Sequence, residues 1–68
     1  MNAAQEASIL FQRADNAWSA ELGRLFGKRA GDVRYTKEGK GEPGSVLRAT
    51  HDEFCRTRDA WYEAIDSL

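Results

Sequence analysis

Large apolar residues recur every seven positions in two separate stretches of the chain. Phe11, Trp18 and Leu25 stand at that spacing in the first, with Ala4 one repeat earlier, and Leu47, Phe54, Trp61 and Leu68 in the second. A step of seven returns a side chain to nearly the same side of an α-helix, so each stretch predicts an amphipathic helix. The first opens at Asn2 with Gln5 three residues on, which resembles a capping box with Asn in place of Ser or Thr. No glycine or proline follows until Gly23, and alanines at 3, 4, 7, 14, 17 and 20 favour helix. The expectation is helix over about residues 3–26, fraying towards Ala30 and stopped by Gly27 or Gly31. Lys28 and Arg29 suit the negative end of its dipole. The second helix is expected over about 44–67, with Pro43 in its opening turn.

Folded back antiparallel, the two helices bring their heptad residues into layers: Leu25 beside Leu47, Trp18 beside Phe54, Phe11 beside Trp61, and Ala4 beside Leu68. The residue numbers of each pair sum to 72, as antiparallel pairing requires. Alanines at 7, 14 and 17 leave room for the indoles. The stretches also align at an offset of 43, Phe11 on Phe54, Arg13 on Arg56, Ala17 on Ala60, Trp18 on Trp61 and Leu25 on Leu68. A duplication and two helices independently choosing similar core residues both account for that. Ile9, Leu10, Leu22 and Phe26 widen the apolar stripe of the first helix, and Cys55, Tyr62 and Ile65 that of the second. A bare hairpin leaves them uncovered. The expected fold class is therefore all-α: a single domain over residues 1–68, an antiparallel helical hairpin that dimerises into a four-helix bundle. The competing arrangement is a monomer whose central loop folds back as a lid.

That loop, expected over 27–43, is glycine-rich and basic. Val33-Arg34-Tyr35-Thr36 has strand propensity and Lys37-Glu38-Gly39-Lys40 has turn composition, which predicts a short β-hairpin or an Ω-like excursion. From Arg24 to Glu42 six bases (Arg24, Lys28, Arg29, Arg34, Lys37, Lys40) face three acids (Asp32, Glu38, Glu42), a net +3 in a chain whose overall charge is −1. One reading is a phosphate or nucleic-acid contact in which Lys and Arg meet phosphates and Tyr35 stacks on a base. The other is a solvated connector, with Val33 and Tyr35 capping the hairpin over Leu25 and Leu47. Mixed charge weighs against nucleic acid, and no RRM, KH or helix-turn-helix signature is present. GKGEPGS lacks the glycine spacing and Lys-Ser/Thr pair of a P-loop.

Composition narrows the remaining chemistry. One cysteine, Cys55, allows no internal disulfide, and one histidine, His51, gives no complete zinc site with it. His51 and Cys55 lie four apart on one helix face; a dimer would bring a second such pair, but the simpler roles are a core-flanking imidazole and a small apolar filler. The acids of the second helix alternate with Arg48, Arg56 and Arg58, as on a solvated face. No enzyme, cofactor, metal or small-molecule substrate is expected. The longest apolar run, Ile9-Leu10-Phe11, is too short to cross a membrane. The absence of a visible signal sequence and the single free cysteine lead to the expectation of a reducing, cytoplasmic setting.

Arg34-Tyr35, Gly39, Gly41, Pro43-Gly44-Ser45 and Leu47-Arg48, within a stretch from about 17 to 62, resemble short uncharacterised proteins of proteobacterial mobile elements and prophages. The resemblance implies the bacterial cytoplasm and an accessory role in element maintenance, gene regulation or host-defence interference. The expected function is that of a small non-enzymatic binding or adaptor protein, a homodimer with a protein partner preferred over nucleic acid. The alternative is a nucleic-acid-binding accessory protein that uses the basic loop. Arg34, Tyr35, Lys37 and Lys40 are the candidate loop contacts, and Ile9 and Tyr62 the candidate helix-face contacts.

Overall fold

The computed structural model describes residues 2–68. Helix α1 spans Ala3–Phe26, and a 3₁₀ turn at Gly27–Arg29 leads into α2, a single turn over Ala30–Val33. A second 3₁₀ turn covers Lys37–Lys40, and α3 runs over Val46–Asp66. The capping box at the start of α1 is complete: Asn2 Oδ1 accepts from the Gln5 amide at 2.9 Å, and Gln5 Oε1 accepts from the Asn2 amide at 3.0 Å. Helix α3 starts two residues later than expected. Pro43 and Gly44 occupy a turn closed by Ser45 N–H donating to the Glu42 carbonyl at 3.0 Å. Ser45 then caps the helix by accepting from the Arg48 amide at 3.0 Å.

Helices α1 and α3 pack as an antiparallel hairpin, and the aromatic layers fall in the expected register. The Trp18 and Phe54 rings are 4.8 Å apart between centroids, Phe11 and Trp61 5.5 Å, and Phe11 and Phe54 5.2 Å. Ala14 is buried between the helices. Thr57 is buried too, its hydroxyl satisfied by donation to the Glu53 carbonyl at 2.9 Å.

The ends of the predicted seam differ. Leu25 is 47% exposed and Leu68 84% exposed, whereas Leu22 is 1% exposed and belongs to a core of Trp18, Leu22, Val33 and Leu47, with Phe26, Ala30 and Phe54 packed against it. An α-helix drifts by about 20° per seven residues against a strict heptad. The connector folds onto the flank of α1 that carries Leu22 and Phe26, so these are covered and Leu25 is left on the other flank. The connector is therefore the lid rather than an open loop. Among the described residues it contains no strand: the predicted β-hairpin is replaced by the one-turn helix α2 and the 3₁₀ turns. Val33 goes into the core at 3% exposure, but Tyr35, expected to cap the hairpin, is 85% exposed.

Leu22→Ala should lower unfolding free energy by about 2–5 kcal/mol, the range for a fully buried leucine. Leu25→Ala should cost ~0.5 kcal/mol or less, as a surface change. Urea denaturation of both variants checks this; similar losses would mean that the core does not run through Leu22.

Candidate interaction site: the basic tip

The connector between α1 and α3 is held down at three points. The first is Trp18, whose buried ring directs Nε1–H to the Gly39 carbonyl at 2.9 Å. A buried indole N–H needs an acceptor, and helix carbonyls beside it are already engaged. So close an approach requires glycine at 39, because a Cβ there would stand 2.4 Å from the Val33 carbonyl oxygen. The second is Arg34. Its guanidinium carbon lies 4.3 Å from the centroid of the Trp18 ring and 5.3 Å from that of Phe54. Its Nη2 donates to Asp15 Oδ1 at 2.5 Å and its Nη1 to Ser19 Oγ at 2.9 Å. The third is Arg48, which donates from Nε at 3.0 Å and Nη2 at 2.8 Å to the Gly41 carbonyl. Gly41 has φ +80°, and a Cβ there would come within 2.7 Å of the Arg48 amide nitrogen.

These clamps sort the predicted contacts. Arg34 is a fastener: its guanidinium is sandwiched against the aromatic core and neutralised by Asp15, so it is not free for a partner. Tyr35, one residue on, projects into solvent. Lys37 and Lys40 are exposed on the 3₁₀ turn that Trp18 anchors. Lys37 also borders a cleft of about 410 Å³ floored by Phe26 and Leu47 and bounded by Glu38, Gly41, Glu42 and Ser45. Arg29 and Glu38 approach to 3.9 Å, both well exposed, a pair that contributes little to stability. The structure thus gathers Tyr35, Lys37 and Lys40 on one folded tip. It places Ile9 and Tyr62, 40% and 55% exposed, towards the opposite end of the hairpin, where Tyr62 lies against Trp61 at 5.4 Å.

Charges along the helices are mostly paired. Arg24 hydrogen-bonds to Glu21, and Arg56 to Glu53, and each guanidinium holds its carboxyl below the ordinary range. On α3, His51 Nε2 lies 3.5 Å from Cys55 Sγ and His51 Nδ1 3.2 Å from Asp52 Oδ1, while its ring meets Trp18 edge-on at 5.2 Å. Among the described residues no group of three or more His, Cys, Asp or Glu side chains is placed to hold a metal ion, and no helix is long and apolar enough to cross a membrane.

Sequence reasoning missed the roles of Asp15, Ser19, Gly39 and Arg48. One signal was present: Trp18, assigned to the core, carries an N–H that a helix pair alone does not satisfy. No protein-family model matches the chain, and neither a curated protein nor a solved structure shows detectable similarity to it.

Gly39→Ala should destabilise the protein by about 1–3 kcal/mol through overpacking against the Val33 carbonyl. Gly31→Ala, whose Cβ would meet nothing within 4 Å, should leave stability unchanged or raise it by up to ~1 kcal/mol. Thermal melts of the two variants check this contrast. Arg34→Lys keeps the charge but loses the flat guanidinium and its forked donation. Hydrogen exchange should then accelerate at the Gly39 and Gly41 amides while the centre of α1 stays protected; unchanged exchange at the tip would remove Arg34 as its fastener.

Proposed function

We propose that the protein is a small non-enzymatic adaptor that works by binding another protein through the basic tip. It does so as a homodimer in the bacterial cytoplasm, as an accessory or host-interference protein of a mobile element. The observation that carries the reading is Tyr35: an aromatic side chain, 85% exposed, at the centre of a connector pinned on both sides by Trp18, Arg34 and Arg48. Tyrosine combines a large contact area with a polar end and is over-represented among residues that dominate binding energy. The clamps hold its backbone still before a partner arrives, which lowers the ordering cost of association. Lys37 and Lys40 beside it offer steering towards an acidic surface.

The tip's charge supports a protein partner over nucleic acid. With Arg34 neutralised by Asp15, and Asp32, Glu38 and Glu42 interspersed, the remaining cations form no continuous track for a phosphate backbone.

Immobilised protein should retain a partner from bacterial lysate that Tyr35→Ala/Lys37→Glu/Lys40→Glu loses, with helicity by circular dichroism unchanged. Direct titration of the identified partner should show a loss of about 2–4 kcal/mol in binding free energy, the scale of an interface centre. Equal retention by both forms removes the tip from the interface. Retention of DNA or RNA that falls steeply with salt replaces the protein partner by nucleic acid.

A further inference from the structure

We draw no further inference here: the strongest candidate, the apolar cleft between the end of α1 and the start of α3 floored by Phe26 and Leu47, carries nothing, because its rim mixes Lys37 with Glu38 and Glu42 and so selects no charge of occupant, and nothing in the structure shows what covers it.

Discussion

The indole of Trp18 organises the molecule because it has to be buried and cannot be buried by the helices alone. Its ring fills the middle of the α1–α3 interface against Phe54, where every helical carbonyl nearby is engaged in its own ladder. An N–H without an acceptor there would cost about 1–3 kcal/mol, a large share of the stability of so small a domain. The Gly39 carbonyl meets this requirement from across the connector, and the rest of the tip follows from it. Gly39 must lack a side chain, Val33 is drawn into the core, and Arg34 closes over the exposed face of the indole while pairing with Asp15.

This chain of dependence changes what the glycine-punctuated segment is. Glycines in a basic loop suggest mobility, but here two of them mark places where backbone and side chains touch too closely for a Cβ. The polar residues divide between fastening and display. Arg34 and Arg48 point inward and hold a carboxylate, a hydroxyl, an aromatic face and the Gly41 carbonyl; Tyr35, Lys37 and Lys40 point outward. Neighbours in sequence, Arg34 and Tyr35, thereby have opposite fates, which alternation along an extended stretch predicts in form even though the segment is not a strand.

The helices were legible because their signals are local and periodic: the Asn2–Gln5 cap, the alanine content and the seven-residue recurrence of aromatics. The facing pairs Trp18–Phe54 and Phe11–Trp61 followed from antiparallel register. The two terminal layers did not, because Leu25 and Leu68 satisfy the same period as Trp18 but lie where nothing covers them. Which of Leu22 and Leu25 is buried depends on the side to which the connector returns, and no periodicity in α1 encodes that. Strand propensity in Val33–Thr36 also misled, since a strand needs a neighbour to pair with and the connector supplies none. Of the tip, the exposed Tyr35, Lys37 and Lys40 could be named from composition. The fasteners could not, since Arg34, a fastener, and Lys37, a displayed cation, are alike in composition until the aromatic face beneath one of them is known.

Two flanks of one helical layer are thus built differently. The flank under the connector is closed by specific polar contacts, and its residues are constrained by geometry: a carbonyl to be reached, a ring to be covered, a Cβ that has no room. The opposite flank has no such constraints; there Leu10, Ala17, Leu25, Val46 and Ala60 alternate with the Glu21–Arg24 and Glu53–Arg56 pairs at the surface. A surface of the first kind tolerates few substitutions and shows the same tip in every copy. A surface of the second kind, exposed and held by ion pairs that contribute little to stability, tolerates many. The contacts that fix the tip all lie on the first flank, from the Trp18 indole, Arg34 and Arg48, so the tip keeps its shape independently of the residues on the second.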